Sequence, residues 1–395
     1  MNKLKYKTRT LGSNKSMSLK NILITGGAGF IGSNLALKLV SRGYSVTVLD
    51  NLSEQIHGAN PEKSSLYQSI LGKVIFIKGD ITQRKDVEQA IEGQDAIIHL
   101  AAETGTGQSM YSIEKYNHVN VSGTALLLDI LVNQKNSVKK VVLASSRAVY
   151  GEGKYVNSQS KSFYPKSRSV ELMQTGNFEM INISGEILKP CATDENSKLH
   201  PTSFYGLTKL QQEQMVKMVC ESIGINFVIL RYQNVFGVGQ SLVNPYTGIL
   251  SIFSNLILNG KALNIFEDGL MTRDFINIED TVELTIRSLE LAIANNETIN
   301  IGTGIATNVL KVANVLANAY EKNVPVEVSG DFRIGDIRHN FADLDQAKRL
   351  LDFQPKVSFE KGIRDFTNWV LQQPRIDSHF NQSLQEIKDK GFLKS

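Results

Sequence analysis

Tyr205 and Lys209, in Tyr-Gly-Leu-Thr-Lys, stand four residues apart. On a helix that spacing puts both side chains on one face. A phenol with a reference pKa near ~10 is a poor base at neutral pH. An ammonium held beside it favours the phenolate, which can take a proton from an alcohol. Ser145-Ser146, closing the apolar run Val141-Val142-Leu143-Ala144, offers a hydroxyl to hold the reacting oxygen. The same tyrosine–lysine spacing also occurs on solvated helix surfaces, so its meaning depends on what surrounds it.

A second cluster supplies that context. Gly26-Gly27-Ala28-Gly29-Phe30-Ile31-Gly32 directly follows the apolar run Asn21 to Thr25 and precedes helical spacing from Asn34 to Val40. Glycines there let backbone N–H groups approach a pyrophosphate, and the helix N-terminus behind them favours an anion. Gly26, Gly29 and Gly32 supply the tight turn, the approach and the close helix packing. Asp50 ends the next run, Ser45 to Asp50, where a carboxylate accepts from ribose hydroxyls and repels a 2′-phosphate. A glycine triplet alone is weak, and an aspartate at a strand end is often a turn residue. Strand, glycine turn, helix, strand and acid in this order point to NAD. Asp80-Ile81 stands where an adenine ring can lie, although Asp80 can equally cap its own turn. Leu100-Ala101-Ala102 lets a cofactor pass over a strand end.

The elements needed to position these residues are legible from the pattern. Val74 to Ile77, a helix around Arg84 to Ile91, Ala96 to Leu100, a long helix near Tyr116 to Gln134 and Val141 to Ala144 continue the alternation. Helix and strand return at Phe204 to Ser222 and Asn226 to Leu230. Continuous apolar strands alternating with helices predict an α/β fold, a Rossmann-type doubly wound parallel sheet covered on both faces. Residues 19–236 read as the NAD-binding domain, with a polar insertion at 152–200 that forms a small hairpin at most. Residues 237–372 read as a smaller mixed α/β substrate lobe, part of it returning to the first domain. Residues 373–395 suit a peripheral helix, and residues 1–18 a disordered basic leader.

Composition excludes several classes. The two cysteines, Cys191 and Cys220, cannot staple a fold, and the six histidines do not cluster, so no metal is expected. Two unpaired thiols suit a reducing cytoplasm. No run approaches the ~18 apolar residues of a membrane span. The net charge of +4 is carried by Lys3, Lys5, Lys7, Arg9 and Lys15 in the leader, and the remainder is near neutral. No nucleic-acid partner is expected.

The glycine turn, Ser146-Arg147-Ala148-Val149-Tyr150-Gly151 and Tyr205-x-x-x-Lys209 together resemble the extended short-chain dehydrogenase/reductases that act on nucleotide sugars, over about residues 19–372 outside the insertion. The resemblance implies that Ser146 binds the reacting hydroxyl and that Asn234, in Leu230 to Gly237, holds the diphosphate. It implies that Arg273, in Arg273-Asp274-Phe275-Ile276, and Arg338, in Gly335-Asp336-Ile337-Arg338, grip that diphosphate. Guanidinium forks suit phosphate oxygens, though either arginine could instead bridge the lobes. It adds Phe30, Ile31, Asn51 and Asn120 to the cofactor residues and Arg147 to the substrate residues. The longer strings Ala101 to Met110, Asn244 to Ser254 and Phe332 to His339 resemble dTDP-L-rhamnose 4-epimerases. In that case Thr104 and Ser109 line the pocket beside C4, unless they only cap a helix. The stretch Ile181 to Gly185, where such relatives carry a cysteine pair, has none, which removes a zinc knuckle.

Related dehydratases and decarboxylases keep acidic residues after the catalytic hydroxyl. Here Arg147-Ala148 follows Ser146, so no proton shuttle serves C5 or C6 and hydride transfer alone remains. The expected reaction is C4 epimerisation of a nucleotide sugar through a 4-keto intermediate, dTDP-L-rhamnose to dTDP-6-deoxy-L-talose. A nucleotide-sugar 4-ketoreductase or an epimerase of another nucleotide sugar would use the same three residues, and a non-catalytic dinucleotide-binding protein would not need the tyrosine–lysine pair. Val119, Leu127, Ile130, Met215 and Val219 give two helices apolar faces. Relatives pair these helices across a twofold axis, which implies a homodimer, unless the faces simply cover the sheet.

Overall fold

Short apolar strands joined through helices can satisfy their backbone groups by pairing in parallel under helical cover. In the computed structural model, which describes residues 19–394 apart from 243, 245, 247 and 375–379, seven do so. They are β1 (Asn21–Thr25), β2 (Ser45–Asp50), β3 (Ile75–Lys78), β4 (Ala96–His99), β5 (Lys140–Ser146), β6 (Asn226–Tyr232) and β7 (Glu297–Ile301). Their order is β7-β6-β5-β4-β1-β2-β3, parallel throughout. The basic leader lies outside the described residues.

Side-chain alternation builds a core on each face. Ile22 and Ile24 of β1 join Leu35, Leu39, Val48, Ile98 and Val142, while Leu23 joins Leu49, Ile97, Leu127, Leu131 and Val141 on the other side. Both faces are dry, so the strands read as unbroken apolar runs. From β1 the sheet grows one way through β2 and β3, and the other way through β4 to β7. Direction reverses between β1 and β4, and the strand ends there border a crevice.

The helix Phe204–Ile223 covers one face. Ser203 caps its start, accepting from the Gly206 N–H at 3.1 Å, and Gly224 ends it in the left-handed conformation. The expected long helix near 116–134 differs in detail. It runs Ile113–Tyr116, widens to a π turn over Asn117–Ser122 and resumes at Gly123–Asn133. The wide turn contains Asn120, whose side chain reaches out of the helix, and such turns are frequent near functional sites.

The insertion is more than a hairpin. Lys154–Val156, Ser162–Phe163 and Lys189–Cys191 form an antiparallel sheet, with a short helix Val170–Gln174 and a small core of Tyr155, Met180 and Leu188. Those apolar residues are widely spaced along the chain, so no periodicity announces them. The second lobe packs helices Ile249–Leu258, Val309–Ala319 and Phe359–Leu371 around Phe236, Phe253, Leu316 and Phe366. Helices Ile278–Glu290 and Asp345–Leu351 return to the central sheet. Among the described residues no helix is long and apolar enough to cross a membrane.

Buried ion pairs bolt the insertion to the second lobe. Arg168 donates to both oxygens of Glu267, at 2.8 and 2.7 Å. Arg338, fully buried, donates to Glu267 at 3.1 Å, Glu179 at 3.1 Å and Asp268 at 2.6 and 2.7 Å. Breaking such a pair leaves an uncompensated buried charge. Glu267→Gln, which strips Arg168 of its bidentate partner, is expected to lower unfolding free energy by about 3 kcal/mol in urea titrations. An unchanged midpoint would show that this junction does not hold the lobes.

Candidate active site

The strand ends β1, β2, β4, β5 and β6 open on a cavity of about 510 Å³ that extends to Tyr246, Leu250 and Phe275 of the second lobe. At one end lies the glycine turn. Gly26 has φ +70°, and a Cβ on it would stand 2.7 Å from the Ala101 nitrogen. A Cβ on Gly32 would meet the Gly26 carbonyl oxygen at 2.4 Å. Only glycine lets this turn lie against β4 and the first helix, Phe30–Ser41, together. The Asp50 carboxylate holds the turn, accepting from Ala28 N–H at 2.9 Å and Leu52 N–H at 2.8 Å. Burial raises its pKa while these two N–H groups and His57 oppose the shift. Each of its oxygens accepts one of these N–H groups and can take a further donor, and the residue lines the cavity.

At the other end, Ser146 closes β5 and Tyr205 begins its helix. The Lys209 ammonium is buried and donates to the Ala144 carbonyl at 2.9 Å, with its nitrogen 6.0 Å from the centre of the Tyr205 ring. Burial pushes Lys209 down to about 7, opposed by the Glu213 carboxylate one turn further along. Burial also raises the Tyr205 phenol, while the Ser146 hydroxyl and the Arg147 guanidinium favour its ionised form. Tyr116 packs edge-on against the Tyr205 ring and donates to the Thr104 carbonyl at 2.6 Å, fixing the loop between them.

Of the residues selected from sequence, Gly26, Gly29, Phe30, Ile31, Gly32, Asp50, Asn51, Ile81, Leu100, Ala101, Ala102, Thr104, Ser146, Arg147, Tyr205, Lys209 and Asn234 line this one cavity. Five do not. Asp80 turns into its own loop, accepting from Asn51 and from the Thr82 N–H and hydroxyl. Asn120 clamps the backbone of Glu103 through both its amide atoms and also donates to Thr208. Ser109 donates to the Thr106 carbonyl and accepts from the Tyr205 N–H at 3.0 Å, so it caps the helix that carries Tyr205 instead of facing the pocket. Arg273 donates to the carbonyls of Thr272, Ile337 and Arg338. Arg338 is saturated by the carboxylates described above. Both arginines, expected to grip a diphosphate, are engaged by protein acceptors and stand off the cavity wall in this structure.

Sequence reading missed His57, Gln240, Asn244 and Tyr246 on the cavity wall. The last three stand in a loop without periodicity, although Asn244 and Tyr246 belong to a string already noticed as family-specific. The C-terminal tail is also less peripheral than expected. Its helix Phe380–Asp389 brings Glu386 to accept from the Tyr246 hydroxyl at 2.7 Å, and Leu393–Lys394 pairs with Phe332–Arg333.

The glycine cradle, the helix N-terminus and the Asp50 acceptors fit a dinucleotide in which a pyrophosphate meets Gly29 to Gly32 and a ribose meets Asp50. Comparison with known proteins agrees. The profile of the NAD dependent epimerase/dehydratase family matches residues 22–302. The dTDP-L-rhamnose 4-epimerase of Burkholderia thailandensis is 36% identical over 356 residues, 90% of this chain and 96% of that protein. The UDP-glucose 4-epimerase of Bacillus subtilis is 30% identical over 367 residues, 88% of this chain and 96% of its own. The crystal structure of UDP-glucuronic acid 4-epimerase from Bacillus cereus, in complex with UDP-glucuronic acid and NAD, matches with a TM-score of 0.73 at 27% identity, covering 89% of this chain and 99% of that one.

Gly32→Ala is expected to weaken NAD binding by about tenfold to a hundredfold, because backbone atoms surround the added methyl and cannot yield. Titration calorimetry on the stripped protein measures it. Wild-type affinity in the variant would contradict the role of the turn.

Proposed function

The chain belongs to the NAD dependent epimerase/dehydratase family, and on that premise we propose that it interconverts the C4 epimers of a nucleotide sugar, dTDP-L-rhamnose and dTDP-6-deoxy-L-talose. The observation that carries this reading is the convergence of Ser146, Tyr205 and Lys209 at one end of the cavity, with Arg147 and Ala148 next along the chain where a dehydratase would need acids. The likeness to the Burkholderia enzyme supports the sugar.

NAD, held by the glycine turn and Asp50, would supply a reversible hydride acceptor for C4, so that the sugar can pass through a 4-keto form and be reduced from the opposite face. The protein's share is proton transfer and positioning. The Tyr205 phenolate takes the proton of the C4 hydroxyl as the carbonyl forms, and the phenol gives it back as the alcohol re-forms. Ser146 holds that oxygen through both half-reactions. Lys209 holds the nicotinamide ribose and steadies the phenolate charge. Asn234 and Thr104 flank the substrate half of the cavity and leave the sugar ring free to turn. The Asp50 carboxylate at the ribose favours NAD over NADP.

The two helices at 113–133 and 204–223 expose Val132, Leu207 and Met218 beyond the part that covers the sheet. Self-association of these faces into an isologous homodimer follows from this reading. The free thiols of Cys191 and Cys220 suit the cytoplasm.

Incubation with dTDP-L-rhamnose in deuterium oxide, without added reductant, is expected to give the C4 epimer with no deuterium at C4, followed by NMR. Tyr205→Phe is expected to lower kcat by about 10²- to 10⁴-fold. Accumulation of a 4-keto sugar with stoichiometric NADH would overturn the epimerase reading in favour of an oxidoreductase.

A further inference from the structure

Arg147 is an unusual neighbour for a phenol that must ionise. It follows Ser146 at the end of β5, and its Nε donates to the Asn234 side-chain oxygen at 3.1 Å, fixing the guanidinium across the end of β6. Its two terminal nitrogens have no protein acceptor among the described residues. A cation is therefore held by one edge with its free edge on the cavity wall that Tyr205 shares.

We infer that Arg147 holds Tyr205 in its ionised form, acting on the reaction through that phenol as a positioning charge. The inference rests on the reading of Tyr205 as the base. Lys209 cannot do this alone. Its ammonium is committed to the Ala144 carbonyl and lies 6.0 Å from the ring centre. Burial lowers its pKa to about 7. The carboxylate facing it, Glu213, is already held by Arg231 at 3.0 and 2.8 Å. Burial lowers Arg147 too, to about 9, which leaves the guanidinium the more persistent of the two charges beside the phenol.

The other groups facing Arg147 are Arg273, which opposes its charge, and Asp336 and Glu152, which favour it. Facing the phenol are Ser146, which favours ionisation, and the ring of Tyr116, packed edge-on against it. A strand end suits the cation's task, because it places Arg147 next to Ser146 on the cavity wall that Tyr205 shares.

The test reads Tyr205 directly in NAD-loaded protein with no sugar present, so a wrong substrate leaves it standing. Protein labelled with carbon-13 at the tyrosine ζ position is titrated by NMR, and the Tyr205 signal is identified by its loss in Tyr205→Phe. In Arg147→Gln the ionisation midpoint is expected to rise by a pH unit or more, a tenfold smaller ionisation constant. Arg147→Lys is expected to keep most of the wild-type value. An Arg147→Gln midpoint equal to wild type overturns the inference. So does an Arg147→Lys shift as large as that of Arg147→Gln, which would assign the effect to packing. Failure of the base reading shows separately, as undiminished turnover in Tyr205→Phe.

Discussion

The Lys209 ammonium, donating to the Ala144 carbonyl across 2.9 Å, ties the helix that carries Tyr205 to the strand that carries Ser146. Burying that charge is costly, and burial pulls its pKa down to about 7 against the opposing pull of Glu213. A carbonyl at the right height and the Glu213 field offset part of the cost. Glu213 is in turn pinned by Arg231 and by the Ser145 hydroxyl, which comes from the same strand as Ala144. Helix and strand are thus joined by a polar seam, and the distance between phenol and serine hydroxyl is set by that seam. Ser109 and Ser203 secure the first turn of the helix from outside. The proposed roles of Tyr205 and Ser146, on separate elements, need this registration, since small displacements at a reacting centre are costly.

A second constraint is that the cavity belongs to two lobes. The glycine turn and the seam lie on the central sheet, while Tyr246, Leu250 and Phe275 come from the second lobe. The insertion spans the junction, with Arg168 and Glu179 meeting Glu267, Asp268 and Arg338 in a buried ionic cluster. A sugar that must turn over between two half-reactions needs walls that stay put while it moves. Buried ion pairs are poor sources of net stability, but removing one partner leaves the other charge uncompensated, so the junction resists rearrangement.

The limits of sequence reading follow from the range of the interactions. The glycine turn, Asp50 and the tyrosine–lysine pair are local patterns whose geometry follows from strand and helix periodicity, and each lines the cavity. Arg273 and Arg338 have the right chemistry for a diphosphate, yet their partners, such as Glu179 more than 150 residues from Arg338, are invisible along the chain. Ser109 shows the same gap, because the N–H it receives comes from Tyr205, 96 residues away. The insertion conceals its core because Tyr155, Met180 and Leu188 are too sparse to show a period. The tail reads as a solvated helix until its contact with Tyr246 is known.

In the proposed reaction one enzyme-held cofactor removes and returns the same hydride while the sugar stays bound, which a crossover measurement can follow. dTDP-L-rhamnose carrying deuterium at C4 is mixed with an equal amount carrying carbon-13 elsewhere in the ring, and the epimers are analysed by mass. Internal hydride return keeps deuterium on the molecules that brought it. Deuterium appearing in the carbon-13 sugar, or lost to water, would contradict it.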